Sequence, residues 1–329
     1  MNNSNSLKYL DFSRSVIADQ LEQVELEIAD LLESEVPTVR QVIQYIMGSG
    51  GKRIRPMVAL LSANACGYEG EHHIGCAAVV EIVHTATLLH DDVIDKSELR
   101  RGKKTANQIW GSTACILVGD FMYARALEVG TRVDNLHIMK MICDASKVIT
   151  EAEINQLLNR GDATLSEEAY YSVIYGKTAK MFEMAARVGA ALAEVPEMQE
   201  LSLSRYGAQL GMAFQLIDDA IDYTGTVEQI GKNIGDDLSE GKATMPLIYA
   251  MKHGSEAEAA LLRSAIETQS CDNIEEIRKI VEATGAIEYT SRCAATEAEL
   301  AIEALKELPH SPYKEGMVAL AEFAAQRNF

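Results

Sequence analysis

Apolar residues recur at three- and four-residue intervals along most of the chain, most clearly from Ile138 to Leu158, Ala179 to Ala193, Leu201 to Ile221 and Ile274 to Ala283. That period lines up apolar side chains on one stripe of an α-helix, a stripe that has to be buried against another element. Strand-like alternation is nearly absent, and long segments rich in Ala, Leu, Glu, Met and Ile favour helix by propensity. The pattern therefore predicts an all-α bundle. Nothing marks a linker: the prolines (Pro37, Pro56, Pro196, Pro246, Pro309, Pro312) are scattered and there is no Ser/Gly-rich tract. A single domain over residues 1–329 is expected, with the polar residues 1–6 as a disordered tail.

Two of the apolar runs end in the same acidic signature. Asp91-Asp92-Val93-Ile94-Asp95 follows Thr87-Leu88-Leu89, and Asp218-Asp219-Ala220-Ile221-Asp222 follows Phe214-Gln215-Leu216-Ile217. Residues four apart share a helix face, so Asp91 and Asp95, like Asp218 and Asp222, project carboxylates from one stripe. Hard oxygen pairs suit Mg²⁺, which keeps several waters and is held by one or two carboxylates plus substrate phosphates. A single D-D-x-x-D also fits a solvated acidic face. Two copies, each flanked by apolar residues, argue against that reading.

The net charge of −19 and pI near 4.8 argue against nucleic acid or an anionic membrane surface as the main partner. They also repel anionic substrates at long range, but screening over about 8 Å lets a local group of cations prevail inside a cleft. The cysteines (Cys66, Cys76, Cys115, Cys143, Cys271, Cys293) form no C-x-x-C and several lie in apolar helical segments, so they are read as reduced. With no basic-then-apolar leader and no run of 18 apolar residues, the expected location is the cytoplasm, without a transmembrane segment.

Cations are concentrated around the acidic motifs. Gly48 to Pro56 packs Lys52, Arg53 and Arg55 into a segment that opens a helix, with Pro56 suited to the first turn. It is not a Walker A loop. Arg100 and Arg101 follow the first motif; adjacent arginines on a loop point in different directions and suit two different phosphate groups. His84 lies two helical turns before Asp91, where a donor role toward phosphate competes with a buried, satisfied one. Lys177, Thr178, Gln215, Lys232 and Lys242 complete the polar set, Gln215 sharing a face with Asp218. Together they describe a site for two diphosphates.

Over residues 40 to 325 the chain resembles the trans-isoprenyl (polyprenyl) diphosphate synthases. The matching stretches are Gly51 to Pro56, Leu88 to Asp95, Arg100-Arg101-Gly102, Gly119-Asp120, Lys177-Thr178, Phe214 to Asp222 and Gly231 to Leu238, with no departure in the catalytic motifs. Within the family the likeness is strongest to the bacterial octaprenyl branch, which makes quinone side chains. The resemblance implies antiparallel helices around a deep central cavity, as in other isoprenoid synthases, and a homodimer. It implies that Lys52, Arg55, His84 and Arg101 bind isopentenyl diphosphate. Arg100, Lys177, Thr178, Gln215 and Lys232 would bind an allylic diphosphate such as farnesyl or geranyl, with Lys242 close by. Asp91 and Asp95 would hold Mg²⁺ on one wall, with Asp92 supporting, and Asp218 on the other, with Asp219 and Asp222 supporting.

Product length depends on the path of the growing tail. Thr87, Ala86 and Val83 continue the helix N-terminally from Asp91 and are small, which leaves room below the metals. On a second helix Ile142, Ser146, Ile149, Glu153 and Gln156 share a face that spans about 21 Å at 1.5 Å per residue. That face is either packed core or the wall of a long cavity with Ile142 near its floor. Small Ala86 and Thr87 weigh against a shorter-chain synthase such as one making geranylgeranyl diphosphate. Intact acidic motifs and the Arg pair weigh against a non-catalytic regulatory subunit, and Lys52 with Arg55 against a terpene cyclase.

Overall fold

The computed structural model describes residues 3–225 and 234–327. The first half of the chain folds as α1 (Asn3–Val16), α2 (Ala18–Leu31), α3 (Pro37–Met47), α4 (Ile54–Ala65) and α5 (His72–Ile94). A short hairpin, β1 (Leu99–Arg100) and β2 (Lys103–Lys104), leads to α6 (Ala106–Trp110), α7 (Ser112–Arg132), α8 (Leu136–Leu158) and α9 (Glu167–Ile174). A π-helical turn, Tyr175–Ala179, then joins α9 to α10 (Lys180–Leu192). The chain continues through α11 (Glu197–Thr224), α12 (Asp236–Ser239), α13 (Met245–His253), α14 (Glu256–Thr268), α15 (Ile274–Ala283), α16 (Ala286–Ala304) and α17 (Pro312–Gln326).

The periodic stretches became α8, α10, α11 and α15, and local chemistry fixes several of their starts. The Asn135 side chain accepts from the backbone N–H groups of His137 and Ile138 at the head of α8, and Ser166 does the same for α9. Ser255 and Glu258 form a reciprocal capping box on α14. Pro56 sits in the first turn of α4. Of the expected tail 1–6, residues 3–6 instead open α1, and Ser6 is only 2% exposed. The loop expected around Arg100 and Arg101 is the β1–β2 hairpin. Arg101 (φ 53°) and Gly102 (φ 73°) form its two-residue turn, whose left-handed pair matches strand twist.

One large apolar cluster gathers residues from α1–α5, α7, α8, α10, α11, α16 and α17, and a smaller one lies among α11–α16. The central helix α5 is long and apolar enough to cross a bilayer on composition alone, but 67% of its apolar window is buried inside the protein. The contact of α11 with α10 and the π turn depends on two glycines one helical turn apart. A Cβ at Gly211 would stand 2.5 Å from Ala179 Cα, and one at Gly207 would stand 2.7 Å from Glu183 Cα. That close approach sets Thr178 beside Gln215, one turn before the second acidic motif.

Candidate active site

The first acidic motif occupies the C-terminal turn of α5, where Asp95 caps the helix and its N–H bonds Asp91 O. Neighbours on a helix point about 100° apart, and the three carboxylates divide accordingly. Asp91 Oδ2 lies 3.9 Å from Lys177 Nζ, and the same ammonium donates to Glu153 Oε1 (2.8 Å) and Gln156 Oε1 (2.8 Å) on α8. Asp95 pairs with Arg160 and, at 3.4 Å, with Lys242. Asp92 turns inward, 2% exposed, where Arg100 Nε (2.8 Å) and Nη2 (2.7 Å) both reach its Oδ1. Burial pushes the Asp92 carboxyl up, against the pull of Arg100, so its charge depends on that arginine.

The second motif divides in the same way. Asp218 is exposed and pairs with Arg327, next to the end of α17. Asp219 is buried: the Tyr170 hydroxyl donates to Oδ2 (2.6 Å) and Gln215 Nε2 to Oδ1 (2.7 Å). The Gln215 carbonyl in turn accepts from Thr178 Oγ1 at 2.6 Å. Burial, with Asp237 nearby, raises the Asp219 carboxyl. Asp222 is buried too, its Oδ2 accepting from the Asp237 N–H at 3.2 Å. Asp219 and Asp222 thus face the protein, and Asp218 alone of this motif faces outward. Lys177 and Thr178, consecutive residues of a π turn, reach one wall each. Such turns recur at functional sites because the extra residue re-aims side chains.

A second group of cations stands on stacked aromatic rings. The Phe182 and Phe214 rings stack at 5.2 Å, with Phe323 6.0 Å from Phe214. Arg55 lies 4.6 Å over Phe182, Lys52 5.7 Å over Phe323 and Arg327 4.9 Å over Phe214, all within cation–π range. Burial lowers Arg55 to about 10, and burial followed by Arg327 lowers Lys52; both shifts ease on arrival of an anion. Arg55 Nη1 is 3.0 Å from His84 Nε2. Burial and the surrounding arginines hold His84 well below the usual histidine range, so the ring is neutral. Arg55 can only donate, so Nε2 accepts and the single ring N–H is on Nδ1.

The sequence-expected residues assemble, except Lys232, which lies outside the described residues. Lys242 is raised: burial opposes its charge, but Asp237, Glu240 and Asp95 outweigh it. Val83 and Ala86 are buried in the main core, Thr87 is half-buried with its hydroxyl donating to His84 O, and Ile142 points at Gly130 of α7. Sequence reasoning missed Arg160, Glu240, Tyr170, Phe182, Phe323 and Arg327. All but Glu240, which sits two residues before Lys242, lie far along the chain from the carboxylates and cations they meet, and no local motif marks any of them. The set fits Mg²⁺: the donors are hard carboxylate oxygens. Asp91, Asp95 and Asp218, the three expected to hold the ion, each already draw a side-chain cation.

An all-α fold that sets two aspartate-rich helix segments against a shared group of lysines and arginines is the arrangement of an isoprenoid synthase. The chain belongs to the polyprenyl synthetase family of trans-prenyltransferases, whose family model matches residues 36–284. It is 45% identical over 320 residues to the octaprenyl diphosphate synthase of Escherichia coli strain K12, covering 97% of this chain and 99% of that one. It is 39% identical to the geranyl-diphosphate-specific all-trans-nonaprenyl-diphosphate synthase of Rhodobacter capsulatus, over 97% of this chain and 99% of that one. The crystal structure of a polyprenyl synthase from Caulobacter crescentus CB15, complexed with calcium and isoprenyl diphosphate, superposes with a TM-score of 0.94. Identity there is 38%, over 97% of this chain and 98% of that one.

Proposed function

We propose that this protein condenses isopentenyl diphosphate repeatedly with an allylic diphosphate, giving an all-trans polyprenyl diphosphate of octaprenyl (C40) length, the kind used for quinone side chains. The observation that carries the reading is the Lys177–Thr178 step. Lys177 Nζ reaches Asp91 at 3.9 Å on one wall, and Thr178 Oγ1 donates to Gln215 at 2.6 Å on the other. One diphosphate placed between them meets both walls.

Lys177, Thr178, Gln215, Arg100 and Lys242, with Lys232, hold the allylic diphosphate, while Lys52, Arg55, His84 and Arg101 hold isopentenyl diphosphate. Asp91 and Asp95 on one side and Asp218 on the other would hold Mg²⁺, which would supply Lewis-acid neutralisation of the leaving diphosphate. Asp92, Asp219 and Asp222 act behind them: Asp92 orients Arg100, Asp219 orients Gln215, and Asp222 accepts from the Asp237 backbone. The cations stabilise the charge that builds on the departing oxygens. The allylic C–O bond breaks, the isopentenyl double bond attacks the resulting carbocation, and a proton from the adjacent carbon passes to the released diphosphate. No protein nucleophile takes part. Thr87, Ala86 and Val83 border the upper path of the tail, and Ile142 stands near its floor. We place the enzyme in the cytoplasm as a homodimer.

Incubation of the purified protein with isopentenyl and farnesyl diphosphates and Mg²⁺, followed by sizing of the dephosphorylated products, tests the reading. A product near C40 is expected, and no elongation by a folded protein would sink it.

A further inference from the structure

The three cations of the Lys52–Arg55 segment do not point the same way. Lys52 and Arg55 lie on the Phe323 and Phe182 rings. Arg53 turns from them: its Nε and Nη2 bond the two oxygens of Glu25 on α2 (2.5 and 3.2 Å), and its Nη1 bonds Glu81 Oε1 on α5 at 2.7 Å. The residue occupies the N-cap of α4 with φ 53°, a left-handed conformation that a side chain with a Cβ rarely adopts. Such a backbone persists only where the surroundings over-determine it. Three charge-assisted bonds to two different helices do so here.

Glu81 is a buried carboxylate, 5% exposed, for which the proposed chemistry has no direct use. It lines one pocket with Arg53, His84, Arg100 and Arg101. The Arg101 guanidinium lies beside Arg53 across Gly51: Arg101 Nη1 would stand 3.3 Å and Arg53 Nη1 3.4 Å from a Cβ there. Without a counter-charge, cations gathered this tightly repel one another before any diphosphate arrives. Glu81 pulls on Arg55 and Arg101 as well as on Arg53.

We propose that Arg53, clamped between Glu81 and Glu25, is a positioning residue that fixes the segment before α4 so that Lys52 and Arg55 converge with Arg101 on the diphosphate of isopentenyl diphosphate. Glu81 is the counter-charge that keeps that cation group together. The inference rests on the assignment of Lys52, Arg55 and Arg101 given above. Arg53 acts through that segment rather than on substrate: each of its three guanidinium nitrogens already bonds a carboxylate.

The test varies each substrate in turn for Arg53→Met, Glu81→Gln and Glu25→Gln. In Arg53→Met and Glu81→Gln the KM for isopentenyl diphosphate rises about tenfold, while kcat and the KM for the allylic diphosphate stay within about twofold. Glu25→Gln, at the more exposed end of the clamp, moves the same constant in the same direction but less. Arg53→Met combined with Glu81→Gln is no worse than either alone, since both break one unit. Calorimetric titration of isopentenyl diphosphate into each variant reads the same split without turnover. Unchanged affinity in a folded Arg53→Met protein, or equal rises in KM for both substrates, overturns the clamp. Failure of the wild type to bind isopentenyl diphosphate removes the underlying assignment and the clamp with it; elongation by the wild type with indifferent variants removes the clamp alone.

Discussion

Lys242 Nζ stands 3.4 Å from Asp95 Oδ2, joining a residue that follows the second acidic motif to the last carboxylate of the first. The same ammonium pairs with Glu240 and lies 3.9 Å from Asp237. The segment after the second motif therefore closes onto the first motif, and the two walls form one electrostatic unit. Each outward carboxylate is satisfied by a cation that belongs to the proposed substrate site or borders it. On the proposed function, an incoming metal–diphosphate pair would exchange these contacts rather than create charge in an empty cleft.

Asp91→Ala and Asp218→Ala should each lower turnover by about 10²- to 10³-fold, the scale of losing a group that stabilises leaving-group charge. Asp218 is exposed, and Lys177 keeps Glu153 and Gln156 as partners when Asp91 is removed, so circular dichroism and melting temperature should change little. Near-wild-type turnover in either folded variant would falsify the two-wall arrangement.

Lys52→Ala and Arg101→Ala should mainly raise KM for isopentenyl diphosphate, and Lys177→Ala that for the allylic partner. The cations form separate groups: Lys52 sits on Phe323, Lys177 between Asp91, Glu153 and Gln156. Steady-state kinetics with each substrate varied decides the matter. Equal effects on both substrates in all three variants refute the assignment.

Tyr170→Phe removes the hydroxyl that bonds buried Asp219 at 2.6 Å. Leaving that oxygen without its donor should cost about 1–3 kcal/mol of stability. Because Asp219 also holds Gln215 at 2.7 Å, allylic KM should rise as well. Denaturant melts and kinetics measure the two effects; a change in neither means the Tyr170–Asp219 bond is dispensable.

Acid should weaken the fold through His84. Its folded pKa lies well below the usual 6.5, pushed there by burial and then by Arg55, Arg100 and Arg101. Below about pH 6.5 the unfolded chain binds a proton that the folded chain refuses, so stability falls as pH drops through that value and is flat above it. His84→Gln, which can still accept from Arg55, should remove this part of the slope in unfolding midpoints measured between about pH 5 and 8. An identical slope in the variant assigns the acid sensitivity to other groups.

Ala86→Tyr should shorten the product sharply, and Ile142→Phe less so, while Ile142→Ala lengthens it. Both sites are buried, so the tyrosine should also lower stability by about 1–3 kcal/mol through overpacking. Chromatography of the dephosphorylated products separates the effects. An unchanged long product from a folded Ala86→Tyr enzyme would mean that the tail runs elsewhere.

The sequence alone determined the helices, because the 3.6-residue period is local, and it identified both acidic motifs and most of the cations, because their spacing is local too. The division within each motif was not so legible: the four-residue spacing put Asp218 and Asp222 on one stripe, yet Asp222 is buried with Asp219 while Asp218 is exposed. Only the tertiary structure decided the partners. Arg160 meets Asp95, Tyr170 meets Asp219, Arg327 meets Asp218 and Glu81 meets Arg53 across long stretches of chain. Those pairings follow from how helices cross and how closely glycines such as Gly211 let them approach. Such approach depends on the packing of the whole core, which no short window of residues encodes.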